Sequence, residues 1–533
     1  MILIALSAVI LPLILLGIIN MPATKGMSIS AFIVLLEGYF LWKMPVNALI
    51  ASILQSIHKS LPILWILFGA LMMLNMLQHT GAIERINAGF HKISADMRLQ
   101  VILVAFLFGG LIEGVSGFGT PAMVTAPLMI ALGFSPMAAV TLALVADSTP
   151  ASFGAVGTPL TVGLSNVSEK ADFLNQIGQK ITQIDLFAGT FMPLILIFML
   201  TFLFGKKASK STTDFLTLVP WALFIGLVYS ALALGVSFVV SYEFVSILAP
   251  FLTIIIAIIS IKLKFLLPKS IFNDPWTTSE VKSTNSNQAS NGSMSLLTAW
   301  SPYIIVILML LATRTVMPLK SFLVNTLNLS WKNILGFNQI NSDWEFLYSP
   351  GTLLTIAVLI GLLIQVKSLK IFLPTAKKVV LSMKSTALAL IVTLIMVQIF
   401  TNSEINTANL PSMPMYIAQV ISKYLSSIWI IIAPFLGQLG SFVTGSTTVS
   451  TLTFGQIQAD IATKAGVDKE LVLAAQLIGA AAGNMICVHN IVSVSSVVGL
   501  SGQEGNILRK TVAPALIYGL LVGIVGFIFT LFM

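Results

Sequence analysis

Two carboxylates stand alone in an apolar block. Between Arg98 and Glu169 the charged residues are Glu113 and Asp147 and no others. A charge at the centre of a bilayer costs roughly 2.5–3.5 kcal/mol on insertion scales, so two of them there need a reason. The chemistry open to them is proton binding. Burial can bring a carboxyl group into the range where it gains and loses a proton near neutral pH. The plainer reading is a hydrogen bond to a broken helix end. His489 is a third candidate, either as a partner in proton transfer or as a simple donor.

These residues sit in or beside glycine-rich segments that recur. One runs Gly109-Gly-Leu-Ile-Glu-Gly-Val-Ser-Gly-Phe-Gly-Thr-Pro121, and the other Gly437-Gln-Leu-Gly-Ser-Phe-Val-Thr-Gly-Ser-Thr-Thr448. At an offset of 328, Gly109, Val115, Gly117 and Thr120 fall on Gly437, Val443, Gly445 and Thr448. Each copy is followed by a second helical stretch ending in a small-residue patch, Asp147 to Pro159 and Gly479 to Asn490. Paired Gly/Pro-interrupted segments in two halves of a membrane protein point to a transporter's substrate site. A broken helix offers free N–H groups and a partial positive charge of about 0.5 at its N-terminus, so two such ends can hold a small carboxylate without a fixed cation. The expected substrate contacts are Ser116, Gly117, Gly119, Thr120 and Thr158 in the first copy. In the second they are Thr444, Gly445, Ser446, Thr447, Asn484 and Asn490. The competing reading is structural. A lone Ser or Thr here more often bonds its own helix, and Gly110 and Gly114 suit close helix packing.

Composition identifies the elements that must carry these residues. The chain has 533 residues, 57% hydrophobic and 9% charged, against roughly 25% charged in soluble domains. Uncharged runs cover 1–24, 60–83, 186–205, 215–242, 244–261, 346–366, 385–403 and 511–533. About 20 apolar residues cross the hydrocarbon core, and unpaired backbone groups cannot remain there, so the runs must be helices. The expected fold is an all-α polytopic membrane protein with roughly 12–14 transmembrane helices and two inverted repeats, each with a re-entrant or broken-helix hairpin. The first run lacks a basic leader and a small-x-small cleavage site, so it is expected as a retained span.

Loop charge gives an orientation. Loops 79–98, 206–214, 262–298 and 367–384 hold fifteen Lys and Arg, against five in loops 165–185, 236–243, 318–349 and 403–423. The basic set is expected to be cytoplasmic, with both termini outside; Lys43 and Lys59 run against the scheme. The first glycine-rich copy is then entered from the basic side at Arg98 and the second from the opposite side near Lys423, as an inverted repeat requires. The expected division is N-terminal spans 1–98, first repeat 99–164, spans 165–267, polar cytoplasmic linker 268–298, spans 299–423, second repeat 424–500 and a C-terminal span 501–533.

Other chemistries find little support. The net charge of +9 is spread over too few residues to build a phosphate-binding face, so no nucleic-acid partner is expected. The one cysteine, Cys487, excludes an internal disulfide and any Cys-rich metal site. His58, His79, His91 and His489 show no metal spacing, and Gly117-x-Gly119 lacks a nucleotide-loop context. No nucleophile–base constellation marks an enzyme. No cofactor and no metal is expected, and oligomeric state is not encoded in any readable pattern.

The sequence resembles the lactate permease family of bacterial carriers. The resemblance rests on Arg98-Leu-Gln100, Glu113-Gly-Val-Ser-Gly-Phe-Gly-Thr-Pro121, Leu132-Gly-Phe134 and Phe153-Gly-Ala-Val-Gly-Thr-Pro159. It continues in Pro434-Phe-Leu-Gly437, Thr444-Gly-Ser446 and Val498-Gly-Leu500, and covers nearly the whole chain. It implies a multi-pass protein of the bacterial plasma membrane that couples uptake of L-lactate, or of D-lactate or glycolate, to protons. It also implies inverted repeats and a substrate domain that moves against a scaffold. The chain departs from the family pattern in three places. Thr447 stands where an Asp is usual after Thr-Gly-Ser. Gly483-Asn-Met-Ile-Cys-Val-His489 replaces Gly-Lys-Met-Ile-Ser-Pro-Gln. Asp147 stands where a neutral amide is more frequent. The missing acid and base are either a lost pair or determinants of substrate charge. The alternative is therefore a carrier for another small organic anion, including one coupled to sodium.

Overall fold

The structure is a computed structural model. It describes residues 1–533 except 118, 166, 169, 206–207, 269–270, 273–293, 367, 426–427 and 533, and all of their side chains but those of 87, 90–91, 208–211 and 314. The polar stretch within the expected linker 268–298 lies largely outside the described residues.

Among the described residues the regular structure is helical, apart from two isolated bridges, Asn328 with Glu345 and Trp331 with Ser342. Among the described residues, seven helices are long and apolar enough to cross a membrane, or up to ten if three bent helix pairs each count as one span. Four shorter apolar helices, Ser7–Ile18, Thr120–Ala131, Pro350–Gln365 and Trp429–Thr444, accompany them. The expected 12–14 spans are therefore approached only when the short helices are counted too. Run 1–24 shows why. Its helix stops at Ile18, the backbone turns through Asn20 at φ 61°, and a new helix starts at Ala23 behind Pro22.

Twelve helices build the region of interest, labelled here in chain order. They are α1 (Gly109–Ser116), α2 (Thr120–Ala131), α3 (Pro136–Ala146), α4 (Gly154–Thr161), α5 (Ala171–Phe187), α6 (Ala208–Val239), α7 (Val245–Lys262), α8 (Trp429–Thr444), α9 (Thr447–Ala465), α10 (Lys469–Gly483), α11 (Val488–Val497) and α12 (Glu504–Phe532). Both glycine-rich copies have the same local order. A helix breaks at a left-handed glycine, a second helix leads away, and a bent pair returns. The bends are 52° between Pro136–Ala146 and Pro150–Thr161, and 46° between Lys469–Ile486 and Val488–Val497.

Small residues bring these helices into backbone contact, as membrane packing favours. A Cβ on Gly437 would strike Gln476 O and Ala480 N of α10, and one on Gly479 would strike Pro434 O of α8. In the first copy, a Cβ on Gly114 would strike the Ser246 carbonyl of α7. A buried polar chain ties the second copy further. Trp429 Nε1 donates to Gln458 Oε1 at 2.6 Å, Gln458 Nε2 to Gln476 Oε1 at 2.7 Å, and Gln476 Nε2 to Ser450 Oγ at 3.3 Å. A satisfied network of this kind rigidifies what it joins.

Arg98 is not an exposed loop charge. It is fully buried and grips Asp96 with two bonds, Nε to Oδ1 at 3.0 Å and Nη2 to Oδ2 at 2.6 Å. It also donates to Asp214 O and to Thr217 Oγ1, and it lies 5.5 Å from the Phe272 ring centroid. It thus clamps the approach to α1 against the start of α6.

Candidate functional site

The first copy breaks because its glycines allow it. Gly117 ends α1 at φ 63° and Gly119 precedes α2 at φ 73°, both left-handed values that cost glycine little. The bent return is more unusual. Ala155, Val156 and Gly157 follow one another at φ 45°, 57° and 73°. A β-branched residue such as Val156 at positive φ is a true outlier, and strain of this kind persists where the surroundings impose it.

Glu113 faces this left-handed turn and is 4% exposed. A Cβ on Gly154 would collide with Glu113 Oε1, so Gly154 leaves the space the carboxyl group occupies. Glu113 Oε2 and Asp147 Oδ1 are buried without a hydrogen-bond partner, and neither side chain joins an ion pair among the described residues. Asp147 ends α3, at the negative end of the helix dipole, and lies close enough for its charge to reach Glu113.

The second copy supplies donors. Gly445 ends α8 at φ 65°, and Ser446 caps α9, its Oγ accepting the Val449 N–H at 3.3 Å. The N–H groups of Thr447 and Thr448, the first of α9, have no partner within the helix, and both residues line a cavity shared with the first copy. Asn484 Nδ2 donates to Thr447 Oγ1 at 3.0 Å, while Asn484 Oδ1 is buried and unpartnered. These are the two positions where the resemblance calls for Lys and Asp. They touch, through a neutral amide–hydroxyl contact.

The copies meet around a cavity lined by Glu113, Gly117, Gly154, Ala155 and Thr158 on one side, and by Gly445, Ser446, Thr447, Thr448 and Asn484 on the other. Its volume is about 20 Å³, on the order of one water molecule. A hydroxy acid needs the two tips to part.

Seven expected residues line this cavity: Glu113, Gly117, Thr158, Gly445, Ser446, Thr447 and Asn484. The others stand behind it. Ser116 Oγ donates to Ile112 O at 2.8 Å and Thr444 Oγ1 to Gly440 O at 2.8 Å, each back-bonding its own helix. Thr158 does the same to Ala155 O at 2.5 Å although it lines the cavity. Thr120 Oγ1 is buried and unpartnered. Asn490 Nδ2 reaches Asn484 O at 3.4 Å, and its Oδ1 lies where a Cβ on Gly119 would go. His489 packs its ring onto Gly445, with Nδ1 3.3 Å from Cys487 Sγ. Sequence reasoning missed Ala151, Gly154, Ala155, Pro159 and Thr448. For Gly154, Ala155 and Pro159 the signal was the motif Phe153 to Pro159, quoted by the resemblance without roles for its small residues; Ala151 and Thr448 lay in the two quoted repeat segments.

A larger hollow of about 400 Å³ opens elsewhere, between the start of α5 and the end of α6, and shares no residue with the tips. Among the described residues no group of three or more His, Cys, Asp and Glu is placed to hold a metal ion.

A multi-pass helical membrane protein with two helix-breaking tips enclosing a small polar cavity is built as a carrier. Comparison with known proteins agrees. The family described as L-lactate permease matches residues 1–533. A Haemophilus influenzae protein named among the L-lactate permeases is 31% identical over 86% of this chain and 84% of its own. The L-lactate permease of Bacillus subtilis is 28% identical over 93% and 90%. A glycolate permease of Escherichia coli is 27% identical over 98% and 94%. The chain belongs to the L-lactate permease family, whose names are those of transporters rather than enzymes, and it fits a multi-pass protein of the bacterial plasma membrane.

Proposed function

We propose that the protein is a secondary active transporter that carries L-lactate, with D-lactate and glycolate as related substrates, together with a proton. The observation that carries this reading is the cavity itself. A buried carboxyl group with an unpartnered oxygen shares with the N-terminus of α9 and the Thr447–Asn484 pair a cavity that holds about one water and must widen to take the substrate. The names of the relatives, L-lactate permease and glycolate permease, support the substrate class.

In this reading the substrate carboxylate is held by the α9 N-terminus, where Ser446 leaves the first backbone N–H groups free. Asn484 Oδ1 is a buried acceptor suited to the substrate hydroxyl, a contact that separates a hydroxy acid from a plain fatty acid. Glu113 carries the proton, and Asp147 behind it is the second proton site. Proton and anion together form a neutral cargo, so binding both adds no charge to the site in the apolar interior. His489 holds the second tip in shape through its contact with Gly445. Glycine-broken tips that open in turn to either side provide alternating access, the two copies acting as an inverted repeat.

The test is uptake of labelled L-lactate by proteoliposomes under an imposed pH gradient, with and without sodium, and with competing acids. Accumulation that follows the proton gradient and is competed by glycolate supports the reading. Lactate uptake indifferent to pH and to uncouplers overturns proton coupling. Competition only by acids lacking a 2-hydroxyl, or a strict need for sodium, favours the other organic-anion carrier.

A further inference from the structure

A third buried carboxylate lies outside the cavity. Asp185, near the C-terminal end of α5, is 4% exposed and joins no ion pair among the described residues. It sits beside a break, since α5 and the helix Gly189–Leu203 meet at 46° and a Cβ on Gly189 would press on the Asp185 side chain at 3.1 Å. Its Oδ1 accepts a hydrogen bond from the Tyr518 hydroxyl of α12 at 2.6 Å. Tyr518 is fully buried. Its helix α12 also packs against α3, whose C-terminal end carries Asp147. Asp185 is thus tied through Tyr518 to the helix that packs on α3, the helix ending at the acid behind Glu113.

It is also connected outward. The hollow of about 400 Å³ is lined by Asp172, Asn175, Gln176 and Gln179 of α5 and by Ser237 of α6. Ser237 Oγ lies 2.9 Å from Thr182 Oγ1, and both side chains are buried. Asp185 lies three residues beyond Thr182, about 4.5 Å further along the helix axis. Polar side chains therefore run from an open mouth, past Gln179 and the Thr182–Ser237 pair, to Asp185 and Tyr518. The mouth belongs to segments 165–185 and 236–243, which carry few Lys and Arg and so face the outside by the charge rule. Buried acids inside a membrane protein mark ion pathways and proton relays, and hydroxyls of Ser, Thr and Tyr both donate and accept hydrogen bonds between them.

We infer that Asp185 is a second proton-binding station, loaded from the hollow between α5 and α6 and passing its proton by way of Tyr518 to Asp147 and Glu113. The route gives the proton an entrance separate from that of the substrate. The inference rests on the proton-symport reading above.

The test compares two modes of transport in proteoliposomes for wild type, Asp185→Asn, Tyr518→Phe and Ser237→Ala. Net uptake of labelled L-lactate under a pH gradient needs proton turnover, whereas exchange of labelled for unlabelled lactate does not. Asp185→Asn keeps an acceptor for Tyr518, and we expect its gradient-driven accumulation to fall about tenfold or more while exchange stays near wild type. Tyr518→Phe should show the same split, and Ser237→Ala a weaker one. Equal loss of both modes in Asp185→Asn and Tyr518→Phe marks a purely structural role and overturns the inference, as does wild-type accumulation by Asp185→Asn. If Asp185→Asn fails to fold, Tyr518→Phe decides alone by the same criterion. Failure of the wild type itself to respond to the pH gradient instead removes the symport reading on which the inference stands.

Discussion

The two glycine-rich tips share a local design and differ in what they hold. The first holds acids and strain: Glu113 and Asp147 are buried and join no ion pair among the described residues, beside a left-handed run that includes Ala155 and Val156. The second holds neutral donors on a stiff frame. There the α9 N-terminus and the Thr447–Asn484 pair face the cavity, backed by glycine-mediated contacts between α8 and α10 and by the Trp429–Gln458–Gln476 chain. Duplicated geometry has thus been given divided chemistry. In the proposed function the first copy takes up the proton and the second recognises the anion.

The largest expected effect breaks the acidic side of that division. Glu113→Gln keeps the shape and removes the proton, and it should lower gradient-driven lactate accumulation by about a hundredfold. Lactate–lactate exchange should persist in the same vesicles. Loss of exchange together with accumulation would show that Glu113 serves binding rather than coupling.

Next come the glycines that allow the tips to meet. Gly445→Ala places a Cβ into the His489 ring at a left-handed φ of 65°, which should cost on the order of 1–3 kcal/mol from the backbone alone. Its thermal midpoint in detergent should fall clearly, and His489→Ala added to it should recover only the steric part. Full recovery in the double variant would deny a backbone requirement at Gly445. In the first tip, Gly154→Ala should displace Glu113 and impair coupling more than folding, as read by the ratio of net uptake to exchange.

A smaller effect is expected at the neutral pair. Asn484→Ala removes the acceptor assigned to the substrate hydroxyl and leaves Thr447 unbonded. KM for L-lactate should rise about tenfold, equivalent to roughly 1.4 kcal/mol, with a smaller rise for a monocarboxylate lacking the hydroxyl. Equal rises for both acids would remove Asn484 from hydroxyl recognition.

The smallest effect tests how the second tip is anchored. Asp468 caps α10 and binds Lys180 of α5 at 2.8 Å. Partial burial pushes its carboxyl up, but Lys180 and the Leu471 N–H outweigh this and hold it below the usual carboxylate range. A depressed carboxylate stabilises the fold above its unfolded pKa, and that contribution disappears as pH falls through the folded value. Asp468→Asn should therefore lower the thermal midpoint slightly at neutral pH, and the difference should vanish in acid.

How far the sequence revealed all this varied with the kind of signal. Glu113 and Asp147 were legible because a charge in an apolar run is conspicuous, and Gly117 and Gly445 because breaks in helices need them. The Thr447–Asn484 contact was not legible, since it joins residues 37 apart that only the packing of α9 on α10 brings together. Ser116 and Thr444 were overcounted because a hydroxyl's type does not show whether it bonds its own helix. Asp185 escaped notice at the edge of run 186–205, where it read as a loop charge, although the structure buries it against Tyr518. Arg98 was misplaced for the same reason. Charge at the end of an apolar run marks a helix boundary in sequence, yet a partner such as Asp96 can draw it inside.

The most direct measurement of the central claim is the proton that travels with the substrate. Proteoliposomes holding a pH-sensitive dye are given external L-lactate, with protein-free vesicles as the control for passive entry of the acid. The account predicts interior acidification with wild-type protein beyond that control, and none with Glu113→Gln. Lactate entry without protein-dependent acidification, or equal acidification by Glu113→Gln, would contradict it.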